Sequence, residues 1–173
     1  MIGECLPTTR GICAVEPNSG GVAPILTDPE GGELLYPGAS WDGEWITFMR
    51  RLSGATRVYV APVDRDGIPR GLSEWSAISP EGLTGSRSRF APDGNALFYL
   101  LTDRGTISLV RQMLNPLSKH VVGNPVRLAT VQLFPTTLSY SFGASASIVE
   151  VTKDRVYFNT IDLRSNVWMT ATQ

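Results

Sequence analysis

One turn-and-strand pattern occurs twice in this chain, 51 residues apart. Residues 40–48 read SWDGEWITF and residues 90–99 read FAPDGNALFY, so Asp42-Gly43 returns as Asp93-Gly94. In each copy the Asp-Gly pair precedes an apolar run, a second turn and another apolar run. Such a pair between apolar runs predicts a β-hairpin, because Gly tolerates the positive φ of the turn. A repeat of this length built of short strands predicts a β-propeller or a related array.

The two repeats are predicted to contain four strands each. Strands of the first repeat are expected at 38–41, 45–50, 57–63 and 74–78, and strands of the second at 88–91, 96–101, 106–114 and 125–131. Two further strands are expected at 11–15 and 22–26, and three at 147–151, 156–159 and 166–169. Residues 134–146 are predicted to form a long connection. Runs such as 96–101 are apolar on both faces, which favours sheets packed on both sides.

The predicted fold class is all-β: a β-propeller of four-stranded antiparallel blades, with about two full and two partial blades. The expected units are a partial blade at 10–34, blades at 35–80 and 87–131, and a partial blade at 147–172. Closed propellers have about four to eight blades, so this chain is expected to form an incomplete ring. It is then a fragment of a longer propeller, which we favour, or half of an oligomeric one. Open edges favour self-association.

Charge and hydropathy limit which partners and which cellular locations we expect for this chain. The chain has 15 basic and 16 acidic residues, so its balance gives no reason to expect nucleic acid or an anionic membrane. No run approaches the roughly 18 apolar residues of a membrane span, and residues 1–5 lack the features of a signal peptide. We expect a periplasmic location if the chain belongs to a membrane-anchored parent, and a cytoplasmic one otherwise.

The two cysteines leave two chemical states open. Cys5 and Cys13 lie eight positions apart, which allows a disulfide across a hairpin, although two small buried thiols are favoured. Two cysteines and a single histidine, His120, argue against a conventional zinc site.

Few residues are candidates for catalysis or metal binding. A serine-histidine-acid triad would need His120, which lies in the polar loop 115–120 and is expected to be solvated. Residues 64–67 (DRDG) begin like a calcium loop, but Trp75 stands where the bidentate glutamate belongs, so a turn is favoured. We therefore assign no catalytic, cofactor-binding or metal residue, and expect no cofactor and no enzymatic activity.

Some arginines and tryptophans are candidates for a binding surface. The candidate residues for a basic patch are Arg50, Arg51, Arg87 and Arg89. Arg87 and Arg89 alternate along a strand and can both face a channel or rim, although a solvated rim is the simpler interpretation. Packing between blades is favoured over a binding platform for Trp41, Trp45, Trp75 and Trp168.

Several segments resemble TolB-type, WD40-like propellers. The Asp-Gly segments resemble their SPDG signature, and residues 73–79 (SEWSAIS) resemble their SEWIPIT closing strand. Residues 114–125 resemble the LDPATKRPVG-P loop, and VYFN at 156–159 with SNVWM at 165–169 resembles a terminal LVFN…GNIWM. The resemblance covers residues 10–172, with Trp41 and Val110 as departures. It implies the C-terminal part of a propeller that, in bacterial multidomain proteins, often follows a kinase domain or a winged-helix regulator.

Three functional hypotheses remain open. The leading hypothesis is a non-catalytic interaction or sensor scaffold that binds a protein or peptide through variable loops. The alternative is a propeller that is accessory to a serine peptidase of the prolyl-oligopeptidase type, which would gate a hydrolase domain absent from this chain. A propeller that is itself a hydrolase is the least favoured. Fold does not imply function, so these hypotheses depend on analogy.

Overall fold

The computed structural model describes residues 2–5, 10–132 and 149–158, and apart from one 3₁₀ turn the regular structure of these residues is β-strand. The strands form four antiparallel sheets that follow one another along the chain. Two sheets have four strands, one has three and one has two. This all-β arrangement of two complete and two partial blade-like sheets confirms the predicted fold class.

Each sheet is built from strands consecutive in sequence. The first sheet contains β1 (Ile2–Glu4), β2 (Ile12–Val15) and β3 (Val22–Leu26). The second contains β4 (Glu33–Ala39), β5 (Trp45–Leu52), β6 (Ala55–Pro62) and β7 (Ser76–Ala77). The third contains β8 (Thr84–Phe90), β9 (Ala96–Asp103), β10 (Thr106–Leu114) and β11 (Val121–Gln132). The fourth contains β12 (Val149–Val151) and β13 (Val156–Phe158).

The first strands of successive sheets lie side by side. β4 contacts β1 on one side and β8 on the other, and β8 also contacts β12. The sheets therefore stack with their first strands gathered along one line, which is the arrangement of strands that faces the axis of a propeller. Residues on this line come from four separate parts of the sequence and can form a joint surface.

Apolar side chains fill the space between neighbouring sheets, which explains why strands such as β9 are apolar on both faces. The cluster between the first and second sheets comprises Ile12, Leu26, Leu34, Ile46, Phe48 and Ala61. The cluster between the second and third comprises Val58, Val60, Ile78, Phe90, Leu97, Tyr99, Leu101, Val110 and Leu114. Leu100 and Leu109 pack against Val149 of the fourth sheet. Each fully buried side chain of this kind stabilises the fold by about 1.5–3 kcal/mol.

The repeated Asp-Gly pairs form the predicted turns. Gly43 and Gly94 have φ of 75° and 67°, and their N–H groups donate to the carbonyls of Ser40 and Ala91 over 3.1 and 2.9 Å. In both turns the Asp carboxylate accepts the N–H two residues later at 3.0 Å. Local side-chain bonding and the freedom of glycine thus produce the same turn twice.

Several strand boundaries differ from the sequence prediction. β4 corresponds to the predicted strand 38–41 but ends at Ala39, because Trp41 belongs to the Asp-Gly turn. The predicted strand 74–78 is a 3₁₀ turn at Leu72–Glu74 followed by the short β7. β8 begins at Thr84 and β11 at Val121, both earlier than expected. The predicted strand 166–169 and connection 134–146 lie outside the described residues.

Cys5 and Cys13 form a disulfide bond with their Cα atoms 5.2 Å apart, so the expectation of two thiols is wrong. The cause is β1, a three-residue strand that was not predicted. β1 pairs antiparallel with β2, with Gly3 opposite Cys13, and the Cys5 N–H donates to the carbonyl of Gly11 at 3.0 Å. This pairing brings the two cysteines together, and both are almost fully buried.

Within the described ranges, no helix has the length and apolar character needed to cross a membrane.

Candidate functional site

A cleft of about 200 Å³ opens where the first strands of three sheets meet. It is lined by Tyr36 of β4, Arg87 and Arg89 of β8, and Val149 and Glu150 of β12. The second, third and fourth sheets thus each supply part of one surface. Of these residues the sequence analysis singled out only Arg87 and Arg89.

Matching β-bulges place the first two side chains in the cleft. The pairing of β4 with β5 shifts register between Leu35 and Gly38, and the pairing of β8 with β9 shifts between Ser86 and Arg89. Tyr36 and Arg87 lie in these bulges with φ of 55° and 54°. A non-glycine residue in this left-handed region is strained by roughly 1–2 kcal/mol. Bulges of this kind redirect side chains and are frequent beside binding sites.

Arg87 stacks on Tyr36. The central guanidinium carbon is 3.6 Å from the centroid of the ring, which is the geometry of a cation–π contact. Burial lowers the pKa of Arg87 from its ordinary value, and neighbouring Arg89 contributes to the lowering, while Tyr36 and the Glu4 carboxylate oppose it. The group remains a cation at neutral pH. Glu4 of β1 also accepts the Tyr36 N–H at 2.8 Å, which holds the bulge from the side of the first sheet.

Arg89 lies beside Arg87 and reaches toward β12. One terminal nitrogen donates to the carbonyl of Ser88 at 2.8 Å, and the other is 3.9 Å from the Glu150 carboxylate. The latter separation exceeds a hydrogen bond. Gly38 makes room for this side chain, since a Cβ there would lie 3.2 Å from an Arg89 terminal nitrogen. Arg89 thus presents a charged nitrogen to the cleft with only a loose ionic contact to Glu150.

The predicted basic patch divides into two unrelated parts. Arg87 and Arg89 line the cleft together, as predicted, but Arg87 reaches it through the bulge and not through the alternation of a regular strand. Arg50 instead donates to the fully buried Asp28 carboxylate at 2.7 and 3.1 Å and to Glu30. The interpretation as a solvated rim is therefore wrong for Arg50, whose side chain is 11% exposed. It is correct for Arg51, an exposed side chain that pairs with Glu33 at 2.9 Å.

His120 and the 64–67 turn adopt the simpler of the two predicted roles. His120 is exposed, and its Nδ1 lies 3.1 Å from the hydroxyl of Ser76. The Asp64 carboxylate accepts the N–H groups of Asp66 and Ile68 at 3.0 and 2.9 Å, which is the bonding of a turn. Among the described residues, no three His, Cys, Asp or Glu side chains are grouped so that they could hold a metal ion.

A buried lysine stands in the loop predicted to be exposed. Lys119 is 4% exposed, and its Nζ donates to the carbonyls of Gly94 and Pro116 at 2.9 and 2.8 Å. It therefore ties the 115–120 loop to the second Asp-Gly turn. The surrounding positions of this loop are exposed, as predicted.

The tryptophans are only partly explained by packing. Trp45 and Trp75 pack against the core clusters between sheets, as expected, and Trp75 meets Phe48 edge to face at 4.8 Å. Trp41 is 70% exposed at the tip of its turn, so the packing prediction is wrong there. Trp168 lies outside the described residues.

A second, wider depression of about 400 Å³ lies beside the first Asp-Gly turn. Its lining combines acidic and apolar residues with one arginine, among them Asp42, Glu44, Trp45, Asp64 and Arg65. The carboxylates of Asp42 and Asp64 already accept backbone N–H groups. The hydrogen bonds from the Ser40 hydroxyl and the Glu44 N–H, with a smaller contribution from the charge of Lys119, hold the pKa of Asp42 below its usual value despite partial burial. These acidic groups serve their own turns.

Comparison with known proteins finds similarity of fold. No protein-family profile matches the chain, and no curated protein sequence matches it. A crystal structure of a nidogen/laminin complex contains a similar chain, with a TM-score of 0.50 and 16% identity over 71% of this chain. This chain spans 42% of the length of that one. At such identity the similarity concerns the fold alone.

Proposed function

We propose that this chain is a non-catalytic scaffold that binds a protein or peptide at the cleft between its inner strands. The observation that carries the proposal is the convergence of Tyr36, Arg87 and Arg89 on one cleft. Tyrosine and arginine dominate the binding energy of many protein interfaces. These side chains stand on paired strands, which hold them more firmly than loops would.

The further parts of the proposal come from the sequence resemblance. We infer that the chain is the C-terminal part of a TolB-like propeller in a larger bacterial protein. The similar fold in a complex of nidogen with laminin is compatible with a role in protein association, although it names no partner for this chain. The Cys5–Cys13 disulfide supports an extracytoplasmic location, since disulfides persist in oxidising compartments.

Quantitative affinity capture from the native cell extract tests the binding role. The immobilised chain is compared with an Arg87→Ala/Arg89→Ala double variant and with Arg111→Ala, a matched control. Arg111 is an exposed arginine on β10 and is not among the residues that line the cleft. We expect a set of proteins retained by the wild type and by the control to be lost from the double variant, whose fold is verified by thermal melting.

Equal retention by all three proteins would contradict the proposed site. Hydrolysis of a peptide or glycoside substrate by the purified chain would contradict a non-catalytic role. The reading frame that encodes the chain tests the family proposal, because a kinase or winged-helix domain in it favours the TolB-like assignment and a hydrolase domain favours the peptidase alternative.

A further inference from the structure

We infer that the cleft between the inner strands binds a single carboxylate of the partner, from an acidic side chain or a chain terminus. The inference depends on the proposed function, because it assigns the chemistry of the ligand that the same cleft would accept. It is argued from the size of the cleft, its charge, and the position of Glu150.

The size of the cleft fits a side chain. Its volume of about 200 Å³ is smaller than the roughly 300–1,000 Å³ of pockets that hold whole small molecules. At about 30 Å³ of liquid volume per water, it holds on the order of seven waters. An Asp or Glu side chain, or the last residue of a peptide, occupies such a space while the rest of the partner lies outside.

The charge of the cleft favours one negative charge. Among the described lining residues, Arg87 and Arg89 carry two positive charges and Glu150 carries one negative charge. Glu4 adds a further negative charge behind Tyr36, where it accepts the Tyr36 N–H. These four charges sum to zero, and once Glu150 turns toward solvent one positive charge is left, which a monoanionic carboxylate neutralises and a phosphate dianion exceeds. The Arg89 guanidinium supplies N–H donors in a planar fork, which a carboxylate accepts in pairs.

Glu150 marks where the incoming carboxylate would bind. Its carboxylate stands 3.9 Å from a terminal nitrogen of Arg89, which is too far for a hydrogen bond, and its side chain is 59% exposed. A carboxylate at this nitrogen from a partner could approach to hydrogen-bond distance while Glu150 turns toward solvent. Glu150 is therefore a competitor of the ligand, and the binding of an acidic partner displaces it.

The stacking on Tyr36 sets the direction of Arg87. The ring centroid lies 3.6 Å from the central guanidinium carbon, and this contact restricts the rotation of the side chain. Stacking holds the plane of the donor group before any ligand arrives, which reduces the entropy lost on binding. Substituting lysine would keep the charge and lose this orientation.

The test uses three acetylated pentapeptides as probes. One has a central Glu and an amidated end, one has Gln in its place, and one is all glycine with a free C-terminus. Binding is followed through the ¹H–¹⁵N signals of the arginine side chains, assigned with single Arg→Lys variants. We expect saturable shifts at Arg89 and Arg87 with the Glu peptide, none with the Gln peptide, and none at Arg111. The free-terminus peptide shows whether a chain end serves as well as a side chain.

Variants of the cleft then test each contact. Arg89→Ala is expected to weaken binding of the Glu peptide about tenfold or more, the loss typical of a hydrogen bond between charged groups. Glu150→Gln is expected to strengthen it several-fold, a gain that a merely unfolded variant cannot give. Inorganic phosphate is expected to bind more weakly than the Glu peptide.

Equal binding of the Glu and Gln peptides, equal shifts at Arg111, or tighter binding of phosphate would overturn the inference. So would an unchanged affinity in Glu150→Gln. The experiments distinguish failure of the carboxylate inference from failure of the proposed scaffold function. If the extract proteins are lost from the Arg87→Ala/Arg89→Ala variant while acidic peptides bind nowhere, the carboxylate inference falls and the scaffold function stands.

Discussion

Arg87 stacks on the ring of Tyr36, and the two residues occupy the same bulge of successive repeats, 51 positions apart. The contact therefore joins equivalent positions of neighbouring sheets. It also explains how two strained backbone positions persist, because each side chain gains a partner that neither would meet in a regular strand.

The tight turns after β5 and β9 offer a test of backbone strain. Ser53 and Arg104 have φ of 50° and 44°, and the glycine that follows each has φ of 82°. Asn tolerates such turns better than Ser or Arg. We expect Ser53→Asn and Arg104→Asn each to raise the free energy of unfolding by about 0.5 kcal/mol in urea denaturation. Ser73→Asn, at an exposed position without positive φ, should leave it unchanged, and an equal gain there would contradict the explanation.

The Asp28–Arg50 pair is expected to stabilise the second sheet strongly. The side chain of Asp28 is fully buried. Besides its bonds with Arg50, it accepts the N–H groups of Glu30 and Gly32 at 3.0 Å. Asp28→Ala leaves Arg50 without its buried partner and should cost about 3 kcal/mol of unfolding free energy by urea denaturation. The exposed pair of Arg51 with Glu33 is the control, and Arg51→Ala should cost less than about 1 kcal/mol. Similar losses in both variants would refute the argument.

The Asp28 carboxylate also predicts how the free energy of unfolding changes at acid pH. Burial acts to raise the pKa of Asp28, but its bonds with Arg50 and backbone N–H groups outweigh it and hold the pKa below the usual value. The folded state therefore releases this proton more readily than the unfolded state. Its contribution is present above about pH 4 and is lost as pH falls through the folded pKa. Unfolding measured from pH 5 to pH 2 should show a shallower decline in Asp28→Ala than in the wild type.

Tyr99 predicts a loss of stability at alkaline pH. Its hydroxyl is buried and bonds to none of the described residues, and burial raises its pKa to about 12. The folded state then holds this proton more tightly, so stability is lost between about pH 10 and pH 12. Tyr99→Phe should raise the free energy of unfolding by about 1 kcal/mol at neutral pH and flatten the alkaline decline. Ser79→Ala, which removes the acceptor of the Val58 N–H, should instead destabilise the fold.

The disulfide should stabilise the N-terminal sheet. A loop of this size, closed by Cys5 and Cys13, is expected to contribute about 2.5 kcal/mol. Peptide mapping without reductant should show the two cysteines linked. Reduction should lower the melting temperature of the wild type and leave a Cys5→Ala/Cys13→Ala variant unchanged. An identical melting temperature with and without reductant would show that the bond contributes nothing.

The repeated turns were predictable because their chemistry is local. Asp42-Gly43 and Asp93-Gly94 determine their own conformation through one carboxylate and one glycine, whatever surrounds them. The apolar runs beside them then predicted the stacked sheets. By contrast, β1 has three residues, too few for an alternating pattern to be visible. The spacing of Cys5 and Cys13 alone could not decide their state.

The candidate site was only partly predictable. Arg87 and Arg89 were noticed, but Tyr36 was not, because the bulge that turns it into the cleft has no fixed sequence signature. The signal that could have found it was the repeat itself, since extending the alignment upstream from the two Asp-Gly turns pairs Tyr36 with Arg87. Lys119 was missed for a different reason. Lysine is rarely buried, and only the tertiary fold brings the carbonyl of Gly94 to its Nζ.

The recurring bulge has a consequence for how such a chain can change over generations. A bulge residue is exempt from the pairing register of its strand. A substitution at position 36 or 87 therefore alters what the cleft displays without shifting the register of the ladder, although it removes the contact between these two side chains. Mutation can sample new ligand chemistries one repeat at a time, provided that the new residue tolerates a left-handed backbone without the partner that Tyr36 and Arg87 give each other.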